Sequence, residues 1–71
     1  MTDSVYRVTE VVGTSSESWE RAATVAVETA AKSLRDLRIA EVVQLDMAIE
    51  DGQVRAYRAR VKISFKLEAE E

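Results

Sequence analysis

The stretch IAEVVQLDMAIEDGQVRAYRARVKISFKL, residues Ile39 to Leu67, decides the fold. At its centre stands Asp51-Gly52, a two-residue turn signal, because a type I′ turn requires positive φ at both central positions. A loop of those two residues opposes Glu50 to Gln53 and predicts two long antiparallel strands, Ile39 to Ile49 and Gln53 to Leu67. Continued without interruption, the register pairs Ala48 with Arg55, Asp46 with Tyr57, Gln44 with Ala59 and Val42 with Val61 on one face. On the other it pairs Met47 with Ala56, Leu45 with Arg58, Val43 with Arg60 and Glu41 with Lys62, the last being opposite charges.

The first face also collects Ile63, Phe65 and Leu67 and is the one to be covered by a helix. The second combines Ile39, Val43, Leu45, Met47 and Ile49 with Arg58, Arg60, Lys62 and Lys66, which suits an interface or a ligand groove better than a dry core. Only one helix is available to the hairpin, and it can cover one face. The apolar residues of the second face therefore call for self-assembly.

That helix and one more strand precede the hairpin. Val5 to Val12 alternate, with Tyr6, Val8, Glu10 and Val12 on one side and Val5, Arg7, Thr9 and Val11 on the other, as in a strand. Gly13 is expected to end it. Thr14 with Glu17 three residues on has capping-box spacing, and Ser16 is an equal candidate cap, so a helix is expected from about Glu17 to Leu34. Its apolar stripe is Trp19, Ala23, Ala26, Ala30, Ser33 and Leu37, mostly small residues that allow close approach to a sheet. Trp19 reads as a core plug at the first turn, with Tyr57 on the helix-facing side and Tyr6 nearby. The elements give an α+β fold in β-α-β-β order, one domain over residues 1–71, with the Glu68–Glu71 tail expected to fray.

A chain of 71 residues buries only about 60% of its unfolded surface and needs reinforcement. There is no Cys and no His, which removes disulfides, thiolate metal sites and imidazole chemistry and leaves association as the available reinforcement. Thirteen acidic against ten basic residues give a net charge of −3, unlike the basic excess of a dedicated nucleic-acid binder. No apolar run reaches the roughly 18 residues of a membrane span, and no basic segment leads into an apolar one at the N-terminus. The expectation is a soluble, cytoplasmic protein without nucleic-acid or membrane partners.

Val5-Tyr6-Arg7-Val8, Gly13-Thr14-Ser15, Ala40-Glu41-Val42-Val43 and the closing Val61 to Phe65 occur in an order, spacing and total length that resemble the dodecins. The resemblance spans nearly the whole chain. It implies a three-stranded antiparallel sheet wrapped around one helix, with twelve copies forming a hollow shell. Many dodecins bind flavins stacked between aromatic side chains near the two-fold axes, storing the cofactor and quenching its photochemistry. Where flavin binders carry a stacking Trp this chain has Ile39, and where they carry a ring-binding Gln it has Arg58. An Ile face offers no π-stacking, so Trp-mediated flavin binding is not expected.

Three candidate chemistries follow. Ile39, Glu41, Leu45, Arg58 and Arg60 form the candidate cofactor site, where Arg58 supplies bidentate geometry for an anionic ligand such as flavin mononucleotide or the phosphates of coenzyme A. Against this stands a structural reading in which the basic stripe makes ion pairs with Glu41, Glu10 or their symmetry copies. Glu17, Asp46 and Glu50, with Asp51, are hard oxygen donors of the kind calcium or magnesium takes, though without EF-hand spacing; a symmetry axis could gather copies of one carboxylate. Catalysis lacks a residue pair to carry it, and the chain is not expected to be an enzyme.

Overall fold

The computed structural model describes residues 3–67, so the expected fraying of Glu68–Glu71 lies outside the described residues. Strand β1 (Tyr6–Ser15) leads into helix α1 (Trp19–Ala30), followed by β2 (Leu37–Glu50) and β3 (Gln53–Lys66). All pairings are antiparallel and the order is β1-β3-β2, with the last strand in the middle.

The hairpin forms where the turn signal stands: Asp51 and Gly52 have φ of 54° and 73°, and Glu50 opposes Gln53. Beyond it the uninterrupted register does not hold. β3 carries one extra residue at Arg55 and β2 one at Val43, two bulges that compensate. Val42 and Glu41 therefore meet Val61 and Lys62 as expected, while the segment between is displaced by one. There Ala48 faces Ala56, Met47 faces Tyr57, Asp46 faces Arg58, Leu45 faces Ala59 and Gln44 faces Arg60. Since side chains alternate along a strand, a one-residue slip exchanges faces: Leu45 and Met47 move to the helix side, and Asp46 and Gln44 to the open side. A third irregularity sets Arg38 out of the ladder between Leu37 and Ile39.

Gly13 does not end β1. The strand runs on to Ser15, with Gly13 opposite Ala59 and Thr14 opposite Arg58, so Thr14 is unavailable as a cap. Gly13 is needed for another reason. A Cβ there would fall on the Ala22 carbonyl oxygen and 2.9 Å from the Ala26 Cβ, so its hydrogen lets α1 lie against the sheet. The helix start shifts accordingly: Ser15 Oγ accepts from the Glu17 amide, and Ser18 is the N-cap, its Oγ accepting from the Arg21 amide at 2.9 Å. The helix ends at Ala30, after which Lys32 and Ser33 donate to Thr29 and Ala30 in tighter i→i+3 turns.

The core is thin. Ala22, Ala26 and Ala30 of α1 pack on Ala59, Val61 and Ile63 of β3, with Val11, Val27, Leu34 and Leu37 around them. The alternation of β3 is as its sequence predicts, but Ala22 replaces Ala23 as the buried member of the first helical turns. A 12-residue helix is about 18 Å long, whereas a 14-residue strand spans about 46 Å. The helix therefore leaves more than half the hairpin's length uncovered even on its own side. The molecule is correspondingly elongated, 56 × 20 × 14 Å.

Candidate functional site

The face away from the helix is organised by the central strand. Arg58, Arg60, Lys62, Ser64 and Lys66 alternate along it; β1 places Thr14, Val12, Glu10, Val8 and Tyr6 opposite them. Tyr6 is thus on the open face, opposite Lys66 and 45% exposed, rather than beside Tyr57. From the other side β2 contributes Asp46, Gln44, Glu41 and Ile39.

Two of the cations are engaged within the chain. Arg58 Nε and Nη2 donate to the two oxygens of Asp46 at 2.7 and 3.1 Å, a fork-to-fork pair that only the displaced register permits. Arg60 Nη1 donates to Glu10 at 3.2 Å. The hydrogen bonds from Arg58 hold the Asp46 carboxyl below the ordinary aspartate value; partial desolvation opposes this, and the charges of Arg58 and Arg60 add to it. Arg58 is raised in turn, chiefly by the same hydrogen bonds.

The opposite side of β2 at this point is apolar. Trp19 meets Tyr57 edge to face, ring centroids 5.0 Å apart and planes at 67°. Its indole Nε1 donates to the Asp46 carbonyl oxygen at 3.0 Å. Trp19 is partly buried, consistent with a plug, but with Ala23, Val42 and Leu45 it lines an open depression of about 510 Å³ that the short helix leaves uncovered. Asp46 is therefore held twice, by its carboxylate on the open face and by its main chain on the helix side.

Of the candidate cofactor residues, Ile39, Glu41, Arg58 and Arg60 do share the open face, and Ile39 is 63% exposed there. Leu45 does not; the bulge at Val43 turns it to the helix side, toward Trp19. Nor are Ile39 and Arg58 neighbours. Ile39 lies opposite Ser64, six residues along β3 from Arg58, roughly 20 Å at the usual strand rise. Within one chain the candidate residues thus lie at separate places. The carboxylates are likewise dispersed: Glu17 is in the β1–α1 connection, Asp46 is taken up by Arg58, and Glu50 lies 3.5 Å from Arg55. Among the described residues no three acidic side chains form a group that could hold a metal.

The Asp46–Arg58 pair and the Trp19 hydrogen bond were missed from sequence. A signal existed, because the apolar phase of β2 changes between Val42 and Leu45, as an extra residue at Val43 requires.

Comparison with known proteins agrees with this architecture. The Dodecin family model matches residues 5–68. The chain is 44% identical over 64 residues to the calcium dodecin of Mycobacterium tuberculosis, covering 90% of each chain. It is 38% identical to a dodecin of Thermus thermophilus, covering 90% of this chain and 93% of that one. Among solved structures, the dodecin from Streptomyces coelicolor superposes with a TM-score of 0.90 at 44% identity, covering 99% of this chain and 100% of that one. The M. tuberculosis calcium dodecin, whose structure is described as having a novel calcium-binding site, gives 0.80 at 41% identity over 94% and 96% of the two chains. A β-α-β-β chain whose central third strand packs on an alanine-rich helix, matched from its first strand to its last, belongs to the dodecin family.

Proposed function

We propose that the protein is a homododecameric binding and storage protein that holds a small anionic cofactor-like ligand, of the flavin mononucleotide or coenzyme A class, between subunits. One observation carries the assembly. Val61 and Ile63 are the only large side chains fully buried among the described residues, while Val8, Val12, Ile39, Val42, Leu45 and Met47 are all at least 42% exposed, on both faces of the sheet. Copies of the chain are the natural cover. Assembly also offers a way to bring Ile39 of one copy toward Arg58 and Arg60 of another, which a single chain keeps far apart. No catalytic step is assigned, since the chain has neither His nor Cys and, among the described residues, the candidate carboxylates are paired with arginines or dispersed.

Calcium is the second reading. It is favoured by the relationship to the M. tuberculosis calcium dodecin and by Glu17, an oxygen donor in the β1–α1 connection with no lysine or arginine within ion-pair distance among the described residues. Copies of Glu17 meeting near a symmetry axis, with Asp46 or Glu50 if their arginines yield, would form such a site.

Native mass spectrometry of the protein as purified tests both by weighing the particle and what it retains. A twelve-subunit mass is expected; a monomer overturns the proposal. Quenching of flavin mononucleotide fluorescence on mixing supports the cofactor reading, with Ile39→Trp expected to raise the affinity by restoring a stacking face. A thermal midpoint that rises with added calcium and not with flavin mononucleotide supports the second reading.

A further inference from the structure

We infer that Asp46 is a specificity-determining residue, which neutralises and fixes Arg58 so that the ligand site reads a planar ring with carbonyl edges in preference to a phosphate. The inference rests on the proposed cofactor site and goes beyond it in naming the residue that sets its ligand charge.

Three features of the geometry support it. First, the pair is fork-to-fork, with Nε and Nη2 each meeting one carboxylate oxygen, so both groups lie in a common orientation and two donor directions of the guanidinium are spent. What remains is the outer edge, with both Nη1 hydrogens and the second of Nη2, and the flat face of the guanidinium, which can meet carbonyl oxygens and an aromatic ring while the charge is already balanced by Asp46. Second, the carboxylate is positioned from behind. The Trp19 indole holds the Asp46 carbonyl oxygen at 3.0 Å from the helix side, and two bulges are spent on turning this residue toward Arg58. An isolated surface ion pair needs no such support. Third, the neighbouring cation is also balanced: Arg60 pairs with Glu10 at 3.2 Å, so the row that looks strongly basic in sequence offers little net positive charge at its Arg58 end. Lys62 and Lys66, further along the strand, have no comparable partner among the described residues, and phosphate contacts are better sought there.

The test compares riboflavin with flavin mononucleotide, which differ by the phosphate, by fluorescence quenching on the assembled protein. It is done for the parent, Asp46→Asn, Arg58→Gln and the double variant, each also in an Ile39→Trp background where ring affinity is expected to be higher. In Asp46→Asn the guanidinium keeps its charge and loses its counter-charge, so the preference for flavin mononucleotide over riboflavin should rise by about five- to tenfold and weaken with salt. Arg58→Gln leaves the Asp46 carboxylate without its counter-charge and should lower the ratio below the parent's, and the double variant, neutral at both positions, should return it near the parent's. A ratio unmoved by Asp46→Asn, even with a lowered melting temperature, makes Asp46 a structural partner only and overturns the inference while the cofactor site stands. Binding of neither flavin by any variant overturns the flavin arm of the cofactor reading, and the inference with it.

Discussion

Gly13→Ala should destabilise the protein although it replaces a strand glycine with a residue that ordinarily fits a strand better. The Ala gains from a less flexible unfolded chain, about 0.4–1 kcal/mol. Against this stands the new Cβ, which would collide with the Ala22 carbonyl oxygen and sit 2.9 Å from the Ala26 Cβ. One obstacle is helix backbone and cannot rotate away, so α1 must lift from the sheet along the line where Ala22, Ala26, Ala59 and Val61 make the core. Overpacking of this kind costs about 1–3 kcal/mol, and the middle of that range less the middle of the entropy gain leaves a net loss of about 1.3 kcal/mol. For a domain this small that lowers the melting temperature by roughly 5 to 10 °C. The assay is thermal unfolding by circular dichroism at one fixed protomer concentration, because association contributes to the midpoint. Gly52→Ala is the companion, since Gly52 has φ of 73° and no atom within 4 Å of an added Cβ, so its loss is purely conformational, about 1 kcal/mol. A Gly13→Ala protein as stable as the parent would refute the close approach of helix and strand.

Trp19→Phe keeps an aromatic against Tyr57 and deletes the bond to the Asp46 carbonyl, so urea unfolding should register a loss of about 1 kcal/mol; Trp19→Leu, which removes the edge-to-face pair too, should lose about 0.5–1.5 kcal/mol more. Glu41→Lys places like charge opposite Lys62 and should shift sedimentation toward smaller species. On acidification, Asp46 has a folded-state value below its unfolded one, so its stabilising contribution is full above the ordinary aspartate range and disappears as pH falls through the lower folded value. Asp46→Asn should flatten that acid limb of a melting-temperature profile, and an unchanged limb would contradict the pairing with Arg58.

Most of the fold was legible because it depends on local rules. Asp51-Gly52 stated the turn, the alternation of Ala59, Val61 and Ile63 stated which side of β3 faces the helix, and the run of alanines stated that the helix lies close. What stayed hidden depended on two places at once. Gly13 looks like a stop because glycine often is one; its actual role requires knowing that Ala22 and Ala26 pass over it. The bulges at Val43 and Arg55 preserve the register at both ends of the hairpin, so Glu50–Gln53 and Glu41–Lys62 both stand while Gln44 to Ala48 between them are displaced. The site was less legible for the same reason: its residue types were found, but a one-residue slip decided that Asp46, and not Leu45, stands against Arg58.

The separation of Ile39 from Arg58 links binding to assembly. If a ligand must touch both, and one chain holds them roughly 20 Å apart, then a bound ligand contacts at least two copies and favours the assembled state by mass action. Saturation at 100 times the dissociation constant contributes about 2.7 kcal/mol per site. Glu41→Lys subunits, loosened by the repulsion at Lys62, should therefore be driven back toward the full particle by flavin mononucleotide, in proportion to its occupancy. Their affinity should rise with protein concentration, toward a limit set by the charge change at Glu41, itself a candidate binding residue. The measurement is sedimentation velocity across a ligand and protein titration. Equal affinity in dissociated and assembled material would place the whole site within one chain, contrary to the strand geometry from which the linkage is drawn.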